Sequence, residues 1–374
     1  MRTIAVLSGR YLPGYKDGGP VRTLVNVVEC LGKEYKFRII TNDRDHGDKI
    51  AYSNILYDKA NIVGNAEVWY LPPGGFTFKK IRELTKECDM VYCLGPYDNY
   101  AYKAMILKRF GIMKQPLFIA SMGSFSQGAF KIKNVKKSTF INVCKGIGMF
   151  KNIYWSVTSD IEAKDVKRCI GEDAKCYIAE DLPRKPYSGG ELKEKDEILR
   201  IIFLSRICKK KNLDYAIDIV SKLKMKVEFD IYGNIEDEEY WMMCRKKIKK
   251  CSSNIKCAYK GIAESEKVQE VFSKYDIFLF PTLGENYGHV IYEALTAGCI
   301  PIISDQTPWI DLDESCCGRV IPLDNLNQYV CAIKELYDMD AETITKMKKN
   351  AINYAVKKYT HSLEKSGYRT VFEI

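Results

Sequence analysis

No run of eighteen or so apolar residues, the length a membrane-crossing helix needs, occurs anywhere in this chain of 374 residues. A transmembrane span is therefore not expected. The first residues, Met1-Arg2-Thr3-Ile4-Ala5-Val6-Leu7, lead straight into a strand-like pattern with no signal-peptide layout. The expected location is the cytoplasm, with the inner face of the membrane as a further candidate. Histidine is scarce: only His46, His289 and His361 occur, and no histidine-based catalytic pair is evident. Fourteen cysteines are scattered without a C-x-x-C, and only Cys316 and Cys317 are adjacent, which speaks against a zinc ribbon or a disulfide framework. Free, mostly buried thiols in a reducing compartment are the expectation.

Acidic residues are missing altogether between Asp98 and Asp160. Over the same stretch Lys103, Lys108, Arg109, Lys114, Lys131, Lys133, Lys136, Lys137, Lys145 and Lys151 supply ten positive charges, the whole of the net +10. Segment 103–151 is thus either a solvated face or a contact for an anionic surface such as a membrane leaflet or a lipid diphosphate. Nucleic acid fits less well, since no recognition motif accompanies the charge. Within it, 131–150 (KIKNVKKSTFINVCKGIGMF) alternates lysines with apolar residues. That pattern suits an interfacial amphipathic helix or a domain-packing helix with a basic outer face.

The length exceeds what one core usually supports, so two domains are expected, and 46% hydrophobic with 28% charged residues fits a globular protein. Short apolar runs alternate with longer amphipathic ones, the signature of β-α-β units on a parallel sheet. Strands are expected near Ile4–Ser8, Phe37–Thr41, Val68–Leu71, Met90–Leu94, Leu117–Ser121 and Tyr154–Thr158, and later near Leu199–Ser205, Phe229–Gly233 and Cys257–Gly261. The first strand runs into a glycine-containing loop, residues 9–20, and then a helix from about Val21 to Leu31. Gly18-Gly19 allows close approach of backbone to a ligand, and Pro20 suits the first helical turn. Residues 181–197 (DLPRKPYSGGELKEKDE) lose apolar periodicity and mark a domain boundary.

The most informative stretch is 273–310. Asp276–Phe280 is a short apolar run ended by Pro281, followed by a loop carrying Gly284 and Gly288 and then a helix with Val290, Ile291, Ala294 and Leu295 at helical spacing. A second strand, Cys299–Ser304, comes after it. Strand, glycine loop and helix N-terminus form an anion cradle, because unpaired amides and the helix dipole point at the ligand. Glu285 in the loop and Glu293 in the helix frame that cradle. Carboxylates accept hydroxyl hydrogen bonds, so the pair suits a molecule with phosphates between two sugars, a nucleotide sugar.

GENYGHVIYEAL followed by AG-x-P-x-I-x-SD resembles the donor motif of retaining glycosyltransferases of family four, the group 1 glycosyltransferases of the GT-B class. The likeness is strong from Ile201 to Trp309 and looser before Asp160. It implies two Rossmann-like β/α/β domains facing across a cleft: residues 1–185 on the acceptor side, 186–355 holding the donor, and a C-terminal helix within 356–374 packing back on the first. It further implies that Glu285 lies near the donor-sugar hydroxyls, that Glu293 holds the ribose, and that the amides of Asn286, Tyr287 and Gly288 face sugar and phosphate. Arg206 and Lys211, five positions apart after a strand, match the family's pair of cations on the donor diphosphate. Gly18 and Gly19, with Arg22 beside them, match its glycine loop facing that diphosphate, and Gly233 a loop bordering the nucleotide. Many members carry a histidine near the loop that starts at Ser121-Met122-Gly123; this chain has none there.

The implied function is transfer of a glycosyl unit from a nucleotide sugar to a sugar or lipid-linked oligosaccharide acceptor of a cell-surface polysaccharide, retaining and with no metal or other cofactor. Glu285, Arg206 and Lys211 would carry the chemistry. Asp43-x-Asp45 could instead be the metal-binding D-x-D of the GT-A class, but the two-domain pattern and the distant carboxylate pair argue against it. Two alternatives stay open: another GT-B enzyme such as a nucleotide-sugar epimerase, and a non-catalytic nucleotide-sugar-binding subunit.

Overall fold

The computed structural model of the chain describes residues 1–16, 18–126 and 134–374. Lys131 and Lys133, named above, lie outside the described residues. The chain forms two compact units, residues 1–182 with 362–374, and residues 183–361. The first division, Leu182/Pro183, falls within residues 181–197, and the second lies at His361/Ser362. Among the described residues, no helix is long and apolar enough to cross a membrane.

The first unit is built on an eight-stranded sheet: β1 (Thr3–Leu7), β2 (Lys36–Asn42), β3 (Asn61–Val63), β4 (Ala66–Leu71), β5 (Met90–Leu94), β6 (Leu117–Ala120), β7 (Ile153–Val157) and β8 (Lys175–Ile178), in spatial order β3-β4-β2-β1-β5-β6-β7-β8. All pairings are parallel except β3 on β4. Alternation along β1 divides the core. Ile4 and Val6 pack with Val21, Leu24, Val28 and Leu31 of helix α1 (Gly19–Leu31), whereas Ala5 and Leu7 lie in the cluster on the opposite face. That second cluster takes in α2 (Phe78–Thr85), α3 (Asn99–Arg109), α4 (Asn134–Gly146) and α5 (Asp160–Ile170). Ile141 and Cys144 of α4 are buried in it, so α4 packs on the domain core, while Val143 is exposed.

The second unit holds six strands, β9 (Leu199–Leu204), β10 (Val227–Tyr232), β11 (Ile255–Tyr259), β12 (Ile277–Phe280), β13 (Ile300–Ser304) and β14 (Arg319–Ile321), all parallel and ordered β11-β10-β9-β12-β13-β14. Strand residues such as Ile201, Phe203, Phe278 and Phe280 are fully buried, as expected where helices cover both faces. The helices are α6 (Leu213–Val220), α7 (Glu238–Ile248), α8 (Val268–Phe272), α9 (His289–Thr296), α10 (Leu326–Asp338) and α11 (Ala341–Glu364). At the base of β12, Asp276 accepts from Lys193 at 2.8 Å and from the buried Lys348 of α11 at 3.1 Å, fixing α11 and the entry segment to the sheet. The last helix, α12 (Gly367–Phe372), is part of the first unit: Tyr368, Val371 and Phe372 join its core, and Gly367 lies so close to β8 that a Cβ would fall 2.0 Å from the Ile178 carbonyl.

Candidate active site

In the second sheet β9 leads outward to β10 on one side, while β12 leads to β13 on the other. Loops leaving the C-terminal ends of β9 and β12 therefore diverge, and such a reversal point opens a crevice where ligands of parallel sheets bind. The loop after β9 ends in one turn, Lys209–Lys211, stopped by Asn212 in the left-handed region (φ 59°). It is stitched to the loop after β12. The Lys210 carbonyl accepts from the Leu283 amide (2.9 Å), and the Asn212 amide group donates to the Pro281 carbonyl (2.8 Å).

This stitching brings Lys211 Nζ to 2.5 Å from Glu285 Oε1, which also accepts from Thr282 Oγ1 at 3.0 Å. The two side chains are only 10% and 11% exposed. Burial holds the Lys211 ammonium below its ordinary pKa; Glu285 opposes this, and the neighbouring charges of Arg206 and Lys210 add to it. The ammonium also sits 5.6 Å from the centre of the Phe280 ring. A depressed, partly desolvated cation held by one carboxylate gains when further negative charge arrives beside it.

Gly288 precedes α9 with φ 81°, a conformation that costs an L residue strain, and a Cβ there would meet Ile291 Cδ1 at 2.9 Å. The Ile291 amide bonds back to the Gly288 carbonyl at 2.8 Å, so the amides ahead of it have no intrahelical acceptor. The following loop holds this turn from outside. Gln306 O accepts from the Glu285 amide (3.0 Å), and buried Trp309 donates to Tyr287 O (2.5 Å) with its ring edge-on to Tyr287. Glu293, buried one turn into α9, is 3.7 Å from the Arg184 guanidinium, which donates to the Ser265 carbonyl at 2.7 Å.

Arg206 lies on the outer side of the same loop, paired with Glu236 Oε2 at 2.6 Å, and both side chains are close to half exposed. Gly233 ends β10 with φ 149°; a Cβ there would fall 1.7 Å from the Ser205 carbonyl, so only glycine lets these loops touch. In the first unit the loop after β1 leads to α1, with Gly18 (φ 64°) at the N-cap and its carbonyl accepting from the Arg22 amide at 3.1 Å. A Cβ on Gly19 would meet nothing within 4 Å. The aspartates of the D-x-D string are engaged by protein: Asp43 binds Arg44 and Tyr57, and Asp45 accepts from the amides of Tyr15, Lys16 and His46. Among the described residues, no group of three or more His, Cys, Asp or Glu is placed to hold a metal ion.

The structure thus brings Arg206, Lys211, Glu285, Tyr287, Gly288 and Glu293 to one end of the second sheet, with Gly233 bracing the adjacent loop. Sequence reasoning missed Thr282, Lys210, Arg184 and Glu236 as partners. Only Thr282, three residues before Glu285, left a local signal; the others come together through loops about 30 to 110 residues apart.

The two parallel-sheet α/β domains define the GT-B fold, and solved GT-B structures match over the whole chain. HepE of Anabaena, solved with UDP and glucose, superposes with a TM-score of 0.68 at 13% identity over 100% of both chains. Sucrose-phosphate synthase of Thermosynechococcus elongatus reaches 0.70 at 14% over 100% of both. A glycosyltransferase of Rickettsia africae reaches 0.69 at 15% over 100% of this chain and 98% of its own. At the level of sequence, residues 189–355, nearly all of the second unit, match the family described as glycosyl transferases group 1. No curated protein matches the chain significantly.

Proposed function

We propose that this protein is a glycosyltransferase that moves a sugar from a nucleotide-sugar donor to an acceptor hydroxyl, with retention of configuration and no bound metal. One observation carries the reading: the largely buried Lys211–Glu285 pair stands beside the amides of a helix N-terminus at the reversal point of the sheet. That arrangement offers positive charge to a diphosphate and a carboxylate to the sugar next to it. As the sugar leaves, negative charge grows on the diphosphate, and Lys211, Arg206 and the amides near Gly288 stabilise it without reorganising. Glu285 orients the sugar hydroxyls, and Glu293, steadied by Arg184, takes the ribose. Gly18, Gly19 and Gly233 are assigned to backbone contacts with the donor, and Asn286 and Tyr287 to sugar and phosphate.

The UDP in the HepE crystals makes uracil the first base to test. For the acceptor we favour a lipid-linked oligosaccharide. Exposed Phe110, Ile112 and Ile147 near Arg109 and Lys114 support peripheral contact of the basic segment with an anionic membrane.

The test is thermal-shift measurement with UDP-, GDP- and ADP-sugars and free nucleotides, in the presence of a chelator, on the wild type and Glu285→Ala. One nucleotide family is expected to stabilise both proteins, with turnover falling far more than binding in the variant. Unchanged turnover in Glu285→Ala would remove that residue from the mechanism, and no stabilisation by any nucleotide would remove the donor site.

A further inference from the structure

The pairing of Arg206 with Glu236 is built by backbone rather than by chance contact of two long side chains. The Ile207 amide donates to the Asn234 carbonyl at 2.8 Å, the Glu236 and Asp237 amides both donate to the Ile207 carbonyl at 3.2 and 3.3 Å, and Ile207 and Ile235 form an isolated parallel bridge. Just before it, Gly233 and Ser205 approach so closely that no side chain fits between them. Ile207 is fully buried beneath this zipper. Glu236 is therefore held in register opposite Arg206, and its carboxylate reaches the guanidinium at 2.6 Å. A fixed carboxylate on a cation assigned to a diphosphate has a definite consequence: the two anions compete for one guanidinium.

We propose that Glu236 is a positioning residue that occupies Arg206 when the donor site is empty and opposes retention of the nucleoside diphosphate after transfer. The inference rests on the donor-site reading given above. Lys211 is held by a largely buried carboxylate and Arg206 by an exposed one, so the two cations differ in how readily they are released. The inner pair is 10% and 11% exposed, the outer 42% and 48%. The outer pair, weakened by solvent, is the one that an incoming diphosphate can break at little cost. Once the sugar has left, the product diphosphate carries more charge than the donor and must depart. A carboxylate ready to recapture Arg206 lowers the barrier to that step.

The experiment is calorimetric titration of the full-length wild type and Glu236→Gln with UDP, GDP, ADP and the matching nucleoside, at low and high salt. The isosteric amide keeps the shape of the loop and removes the charge. Nucleoside diphosphate affinity is expected to rise about 1.4- to fivefold in the variant, the range spanned by exposed ion pairs, while nucleoside affinity stays unchanged. The gain should shrink with added salt as the charges are screened. In steady state the donor KM should fall, with kcat falling or unchanged. Unchanged or weaker diphosphate binding in Glu236→Gln, or an equal change for the nucleoside, overturns the proposal while leaving the donor site intact. If the wild type binds none of the diphosphates, the donor-site reading falls and this inference with it.

Discussion

Breaking the Lys211–Glu285 pair gives the most demanding test of how this site is held together. Exposed ion pairs contribute about 0.2–1 kcal/mol, whereas removing one partner of a buried pair costs about 3–5 kcal/mol. With side chains 10% and 11% exposed, this pair lies near the buried limit. Lys211→Met leaves the Glu285 carboxylate with the Thr282 hydroxyl as its remaining side-chain partner on that oxygen, and we expect a loss of about 2–4 kcal/mol. Glu285→Gln should cost less, about 1–3 kcal/mol. Burial already depresses the lysine, so without its counter-ion it can shed its proton instead of staying charged. This gives a sign. The folded-state pKa of Lys211 in Glu285→Gln lies further below the unfolded value, so the unfolded chain binds more protons and the penalty shrinks from pH 7 to pH 9. The double variant Lys211→Met/Glu285→Gln should be less damaged than the sum of the singles, with a coupling of about 1–3 kcal/mol. Urea unfolding followed by tryptophan fluorescence reads this, since Trp241 and Trp309 both lie in the second unit. Two singles each below about 0.5 kcal/mol, or a penalty that grows with pH, would refute the argument.

Other perturbations separate scaffold from site. Burial pushes the Asp181 carboxyl up to about 7, Glu162 and Glu180 add to this, and a Thr23 hydrogen bond opposes it. Its ionisation therefore works against folding, absent below about pH 4 and in full above about pH 7. Asp181→Asn should gain on the wild type in unfolding free energy from pH 5 to pH 8, by at most about 3 kcal/mol, because part of the effect is already present at pH 5; a gain independent of pH would contradict this. Gly233→Ala should unfold the loops after β9 and β10 at a cost above about 3 kcal/mol, because its Cβ would overlap the Ser205 carbonyl. Gly19→Ala has room and should leave Tm unchanged, so a raised donor KM there would mark a ligand approach and an unchanged KM would exclude one. Asp276→Asn strips the buried Lys348 of its counter-charge and should cost about 3 kcal/mol in urea unfolding; a cost below 1 kcal/mol would show the cluster to be dispensable.

The strands of both sheets were legible where they are buried on two faces, since Val-, Ile- and Phe-rich runs such as 277–280 have no other reading. Three strands were not. β3, β8 and β14 are sheet edges, short and half exposed, with residues such as Asn61, Lys175 and Arg319 in place of an apolar run. Glu285 and Glu293 could be named from the glycine loop and helix that carry them, and Arg206 and Lys211 from the likeness to the family-four motif. Their partners could not, because the Arg206–Glu236 and Arg184–Glu293 pairings depend on which loops the strand order brings together.

Release of free nucleotide from a nucleotide sugar tests the central claim most directly. The purified protein, with chelator present, is incubated with UDP-, GDP- and ADP-sugars, and free diphosphate is followed over time. Slow release from one nucleotide family, lost in Glu285→Ala while that nucleotide still binds, is the result the account predicts. Release from none, together with no binding of any free nucleotide, would contradict it.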